Sequence, residues 1–469
     1  MNQKTKLLLS AICLFAISGT AQISFVEHII VGRDDLPQPR NARKVIAVDI
    51  DGDKDKDVLS VSTYYGTIVW FENLGGIGNF STQKIIALDL PSINTIDVAD
   101  VDGDGDVDII SGSRTPDVND GKAAFFLNDG QGNFGEEQVL HIGGKRVYAV
   151  QFADLDGDGH PDALWGTISG EVGWQKNEDG MGTFGESQVV STHTVPVEVL
   201  TAHDMDGDGD LDVLAAYSAF NIPSQASIRW YENLDGVGNF GSPIVLSPFD
   251  DVILDMVMVD MNKDGRDDLL YGSYNDRIAW FPSTDGMGSF GEEILISTRT
   301  KEVTSIFPVD VNGDGDVDIL STSFFDENAA WYQNLDGEGE VFQRKIISDD
   351  AKGARDIIAV DMDEDGDMDV LLASSGIGEI VLYENSLIVS TSEAMTKRIE
   401  VSPNPTTGML TIGNVEADVA IQVYDSSGKL LLQETGKHAI DLSPFPSGLY
   451  FYKITDESGN HHSGNIVKE

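Results

Sequence analysis

Cysteine, basic residues and long apolar runs are all scarce in this chain, and each shortage removes a class of protein. One cysteine, Cys13, in 469 residues leaves no partner for a disulfide. Stability must therefore come from packing or bound metal rather than from the cross-links that staple many exported domains. Lys+Arg number 30 against 79 Asp+Glu, for a formal net charge of −49. Such a polyanion repels phosphate backbones and acidic membrane surfaces, which argues against nucleic acid and in favour of cations. Disorder, the other reading of acidity, does not fit 41% hydrophobic and 8% aromatic residues with 23% charged. Beyond the N-terminus no stretch approaches the roughly 20 apolar residues of a spanning helix, so no transmembrane segment is expected. Gly-x-Ser-x-Gly, His-Glu-x-x-His and phosphate-loop motifs are missing too, and the eight His are scattered.

What is present begins with an export signal. Lys4 and Lys6, the apolar run Leu7 to Ile17 and the small residues Gly19-Thr20-Ala21 have the three parts of a secretory leader, which predicts cleavage after Ala21. Cys13 leaves with it. A lipoprotein would need a small residue before that cysteine, and Ile12 stands there.

The acid is concentrated in a nonapeptide, Asp-x-Asp/Asn-x-Asp-Gly-x-x-Asp, that recurs seven times at spacings of 51, 54, 50, 56, 50 and 51 residues. These loops hold 33 of the 79 acidic residues. Loop one offers Asp49, Asp51, Asp53 and Asp57; loop two offers Asp100, Asp102, Asp104 and Asp108, with Asp106 at position 7. Loop three has Asp154, Asp156, Asp158 and Asp162 around His160, and loop four Asp204, Asp206, Asp208 and Asp212 around Asp210. In loop five the set is Asp260, Asn262, Asp264 and Asp268 with Arg266; in loop six it is Asp310, Asn312, Asp314 and Asp318 with Asp316. Loop seven closes the series with Asp361, Asp363, Asp365 and Asp369 around Asp367.

Side chains at positions 1, 3, 5 and 9 of a tight loop converge, Gly at position 6 permits the positive φ of the turn, and position 7 offers its backbone carbonyl. Hard oxygen donors in that number favour Ca²⁺, up to seven ions, one per repeat. Position 12 is Ser60, Ser111, Trp165, Ala215, Tyr271, Ser321 or Leu372, never the Glu of an EF-hand. Loop one has Lys54 in place of Gly and Lys56 at position 8, so it is expected to bind most weakly.

Around each loop the chain reads as strands. Alternating apolar segments such as Val45 to Val48 precede the loops, and others such as Val107 to Ile110 follow them. About 20 residues after each loop begins comes an aromatic segment ending in Asn, as in Trp70 to Asn73, Trp174 to Asn177, Trp230 to Asn233 and Trp331 to Asn334. Recurrence at one place in the repeat makes these core aromatics of a third strand, with Asn opening a turn; sugar stacking is the alternative. A Gly-rich turn, a Phe and an apolar pair, as in Phe80 to Ile86, supply a fourth strand. Four antiparallel strands per repeat make a β-propeller blade. The seventh repeat stops after its third strand, and Ser24 to Ile30 matches the missing fourth. The expected fold is all-β: a seven-bladed propeller over residues 22–386, closed by its N-terminal strand, then a linker at 387–395 and a small Ig-like β-sandwich at 396–469.

These loops, at this period, resemble the FG-GAP/VCBS repeats of integrin α-chain propellers and bacterial surface proteins. The resemblance implies structural calcium held between the first two strands of each blade. The tail, with Pro403-Asn404-Pro405-Thr406-Thr407-Gly408, Tyr424 to Lys429, Pro446 to Tyr450 and Ile466-Val467-Lys468, is similar to the type A C-terminal sorting domain of the type IX secretion system of Bacteroidota. That similarity implies engagement of the secretion machinery, export across the outer membrane, and release or attachment at the cell surface. The reading is a monomeric, non-catalytic module that binds an extracellular glycan or surface protein. A calcium-dependent polysaccharide lyase built on the propeller is the alternative; Arg114, Arg146 and Arg266 look isolated in sequence for such chemistry.

Overall fold

The computed structural model describes residues 22–31, 41–115, 120–218, 225–248, 251–376, 378–388, 400–402, 406–413, 420–425, 429–435, 439–455 and 461–468. The expected leader and most of the linker lie outside them. Two compact units are present, Gln22–Ile388 and a second that contains the C-terminal residues from Val389. Among the described residues there is no α-helix, hence none long and apolar enough to cross a membrane.

In the first unit β-branched runs punctuated by Asp/Gly clusters fold as seven four-stranded antiparallel sheets. Blade one is Ala42–Val48, Asp57–Ser62, Thr67–Phe71 and Lys84–Ala87, paired in chain order. The innermost strands of the other blades are Thr95–Ala99, Val147–Ala153, Val197–His203, Ile253–Val259, Val303–Val309 and Ala354–Val360. Each packs beside the next, and Ala354–Val360 packs beside Ala42–Val48, so the ring is closed. In six blades the second strand is buried along its whole length, as Asp57–Ser62 and Asp212–Tyr217 show. Apolar side chains fill the space between successive sheets: Leu59, Trp70 and Ile109 between blades one and two, and Leu200, Trp174 and Tyr231 between three and four.

Gln22–Val31 supplies the fourth strand of blade seven. It runs antiparallel to Glu379–Ile388, with Phe25 opposite Asn385, and His28 Nε2 lies 2.8 Å from Glu384. Both edges that an open array would leave bare are thereby paired. The third strand of that blade continues to Ile388, two residues past the expected end of the propeller.

The second unit is a sandwich. One sheet contains Glu400–Ser402, Met409–Gly413 and Ala439–Asp441; the other orders Leu430–Thr435, Ala420–Asp425, Gly448–Thr455 and His461–Lys468. Leu410, Ile412 and Ile440 from the first meet Ile421, Val423, Tyr452 and Ile466 from the second in one core.

Candidate functional sites: acidic loops and channel mouth

All seven acidic loops join the innermost strand of a blade to its second strand, and they lie on one face of the ring. The register is the same throughout. Val48 pairs with Asp57, Ala99 with Asp108, Val360 with Asp369, so the nine residues close a hairpin whose last member begins the second strand. The Asp at position 1 braces the turn, its two oxygens accepting backbone N–H groups. In loop two Gly103 and Gly105 donate to Asp100 at 2.8 and 3.0 Å, and in loop six Gly313 and Gly315 donate to Asp310 at 2.8 and 2.7 Å. Position 6 takes a positive φ in every loop, including +84° at Lys54. Position 4 does so as well, at +73° for Gly103 and +61° for both Lys263 and Glu364. The expected turn residue is thus one of two, and Gly at position 4 of five loops is the signal that betrays the other.

Position 9 behaves as a latch. Asp57, Asp108, Asp162, Asp212, Asp268, Asp318 and Asp369 are buried. One oxygen of each accepts the N–H of the residue that ends the aromatic segment, at 2.7 to 2.8 Å, from Asn73, Asn128, Asn177, Asn233, Ser283, Asn334 and Asn385 in turn. Burial pushes Asp57, Asp162, Asp318 and Asp369 up to about 7, and Asp108, Asp212 and Asp268 up to about 6, against the pull of those amides. The Asn residues do more than open a turn. Side-chain Nδ2 of Asn128, Asn177, Asn233 and Asn385 reaches the position 2 carbonyl of the preceding blade's loop, Ile50, Val101, Leu155 or Val311, at 2.7 to 3.1 Å. Loops one, two, three and six are therefore tied to the following blade as well as to their own.

Convergence of donors is direct in five loops. Oxygens of Asp49, Asp51 and Asp53; of Asp100, Asp102 and Asp108; of Asp154, Asp156 and Asp162; of Asp204, Asp206 and Asp208; and of Asp361, Asp363 and Asp365 lie within 4.8 Å of one another. Oδ1 of Asp51 is buried without a hydrogen-bond partner. Burial and then the neighbouring carboxylate hold Asp51, Asp102, Asp206 and Asp363 above the ordinary range. Hard anionic oxygens that crowd and repel one another, with one at Asp51 left unpartnered, fit a divalent cation such as calcium. Loops five and six place Asn262 and Asn312 at position 3, whose Oδ1 atoms accept from Asp264 and Asp314 N–H at 2.9 Å. Side chains at position 7 turn toward Gly residues of their own blade, Asp106 toward Gly130, Asp210 toward Gly236, Asp316 toward Gly337, His160 toward Gly180 and Arg266 toward Gly286.

Two loops carry cations of their own. In blade three Lys176 Nζ bonds Asp156 and also lies 2.8 Å from Asp158, and this contact pulls Asp158 below the ordinary range. In blade five Arg266 bonds Asp264, and Lys263 reaches Asp316 of blade six. Lys56 of loop one bonds the carbonyl of Asp361 in the neighbouring blade, 3.3 Å away.

The recurrent Trp residues are unavailable for sugar stacking: none of the chain's six Trp is more than 5% exposed. Their faces are covered by the next blade. Gly132 backs onto Trp70, Gly238 onto Trp174, Gly288 onto Trp230 and Gly339 onto Trp280, whose Nε1 donates to the Gly339 carbonyl at 2.9 Å.

Matching to known families agrees with this architecture. An FG-GAP-like repeat family matches residues 49–111, 115–165, 204–271, 260–321 and 310–372, more than half of the chain. The protein belongs to the FG-GAP repeat family. A secretion system C-terminal sorting domain family matches residues 400–469, so this FG-GAP protein is exported by the type IX system to the cell surface or the extracellular space. No curated protein matches the chain. Among solved structures, BBS1N in complex with ARL6DN, in crystals soaked with lead and with mercury, is similar in fold. In both cases the TM-score is 0.52 at 10% identity, over 76% of this chain and 96% of that one.

The FG-GAP propeller also has a central cavity of about 340 Å³, lined by all seven innermost strands. Its mouth gathers charge that sequence reasoning treated as scattered. Arg43 donates to Tyr148 Oη at 2.9 Å, and the Arg43 and Arg146 guanidinium carbons lie 5.8 and 5.6 Å from the Tyr148 ring centre. Arg355 pairs with Glu302 at 3.2 Å. Arg114 and Arg146 are thus not isolated; they lie close enough to repel each other. Deeper in, Asp97, Asp255 and Asp356 accept backbone N–H groups of the next blade, from Phe152, Ile306 and Val45 at 2.8 to 2.9 Å.

Proposed function

We propose that this exported propeller is a non-catalytic binding module, stabilised by calcium in its acidic loops, that recognises an extracellular glycan or surface protein. The observation that carries the reading is the division of labour between the two faces. Position 9 ties the acidic loops into their own blades and Asn bridges tie four of them into a neighbour, which suits ions that hold structure. The opposite face opens into a polar cavity assembled from all seven blades, the usual place for a ligand site on a closed ring of sheets. Calcium, if bound only by the folded state, stabilises by mass action, about 2.7 kcal/mol at 100 times the dissociation constant.

The test is in two parts. Melting of the mature exported protein in calcium and in chelator should differ markedly; identical melts would remove calcium from the reading. A glycan array together with defined surface proteins should reveal a saturable ligand. Sustained release of unsaturated ends from uronate polymers would instead make the protein a lyase.

A further inference from the structure

We propose that the mouth of the central channel is a binding site for the carboxylate of a small acidic sugar, with Arg43 and Arg146 as its direct ligands. The proposal deepens the binding reading and rests on it.

Guanidinium groups are scarce in this chain, yet Arg43 and Arg355 of blades one and seven line the cavity, and Arg146 of blade three stands beside them against Tyr148, with Arg114 near it. At the mouth the guanidinium groups face two carboxylates: Glu302 is engaged by Arg355, and Glu198 faces Arg43 and Arg146. Deeper in the same cavity Lys44 pairs with Asp356 at 3.3 Å, beside Asp97 and Asp255. Nε of Arg146 and Nε of Arg355 are both buried without a hydrogen-bond partner among the described residues. Burial and the neighbouring arginines hold Arg146 and Arg355 below the ordinary guanidinium range. Buried cations with unused donors, repelling one another, are the arrangement that an incoming anion relieves. A planar fork matches a carboxylate through two parallel hydrogen bonds, and the contacts of Arg43 and Arg146 with Tyr148 hold both groups in place in advance.

Size and field narrow the ligand. A cavity of about 340 Å³ is at the small end of ligand pockets, enough for one or two sugar rings. Beside the arginines it offers Asn94, Thr95, Gln151, Thr201 and Thr304, amides and hydroxyls suited to sugar hydroxyl groups. A long polyanion would meet the repulsion of the −49 chain, whereas a single carboxylate does not. The mouth lies where the innermost strands begin, and the acidic loops lie where they end. Seven residues of strand separate them by about 20 Å. That distance exceeds the roughly 8 Å over which charge is felt at physiological salt.

The experiment is calorimetric titration of the mature protein with galacturonate, galactose and inorganic phosphate. Galacturonate should bind, galactose at least tenfold more weakly, and phosphate no better than galactose. Arg43→Gln and Arg146→Gln should each weaken galacturonate at least tenfold while leaving the melt within a few degrees, and Arg344→Gln, in the outermost strand of blade six at Phe342–Ser348, should leave galacturonate binding unchanged. Glu198→Gln removes a competing carboxylate and should tighten binding severalfold, a gain that a damaged fold cannot mimic. Equal binding of galactose, tighter binding of phosphate, indifference to both arginine changes, or no galacturonate binding would each overturn the assignment. If galacturonate fails while the glycan array yields another ligand, this site is wrong and the wider binding reading stands; if the array and the protein panel are blank too, both fall.

Discussion

The side-chain amide of Asn128 donates to the backbone carbonyl of Ile50, 2.8 Å away across the boundary between blades two and one. Its own N–H meanwhile bonds Asp108, so a single residue joins two acidic loops. Removing a buried donor leaves a carbonyl unsatisfied at about 1–3 kcal/mol. Asn128→Ala should lower stability by that amount, and Asn334→Ala, whose amide stays within its own blade at 3.3 Å, by less. Chemical denaturation of the two variants checks the order; equal losses would remove the interblade role.

Glycines of the repeat separate into two kinds. At Gly238, φ is +83° and a Cβ would sit 2.1 Å from Trp174, so Gly238→Ala must displace a buried indole. At Gly105, φ is +96° but the space is open, leaving only backbone strain. Gly238→Ala should cost about 3 kcal/mol or more, as overpacking adds to strain, and Gly105→Ala about 1 kcal/mol. Lys54 is a natural violation at φ +84°, and Lys54→Gly should stabilise by about 1 kcal/mol. A melt of Lys54→Gly at or below that of the parent would refute the strain argument.

Lys176 sits on Asp156 and Asp158, where the other loops would use an ion. A tethered ammonium competes with calcium for the same oxygens. Lys176→Gln should therefore raise the calcium stoichiometry by one and increase the destabilisation caused by chelator. Unchanged stoichiometry on titration of the variant would show that the ammonium and the ion do not share the site.

Stability should respond to pH with a sign that calcium reverses. Buried Asp57, Asp162, Asp318 and Asp369 are pushed up to about 7, whereas unfolded carboxyls titrate near 4. Between those values the native state holds protons that the unfolded chain releases, so metal-free stability is greatest at the acid end and is lost as pH rises through about 7. Ion binding requires the ionised form, so the gain from calcium grows over the same interval. Melts in chelator at about pH 5 and pH 8 should show the lower temperature at the alkaline end; the opposite order would contradict the burial argument.

The sequence by itself determined whatever repeats. Seven acidic nonapeptides gave the number of blades, the flanking alternation gave the strands, and the truncated seventh repeat with its orphan at Ser24 to Ile30 gave the closure later seen between Phe25 and Asn385. Such features are local, or recur at a fixed period, so they survive without coordinates. Only the tertiary structure decided which side chains work between blades. Asn128 and Ile50 are 78 positions apart, and nothing in a turn-forming Asn announces that its amide crosses a blade boundary. Lys176 follows its loop by about the length of a hairpin, and folding back is what lays it on Asp156. Arg43, Arg146 and Arg355 come from three different blades and look unrelated along the chain. Ring closure places the starts of all seven innermost strands around one axis, and that turns scattered charges into a site.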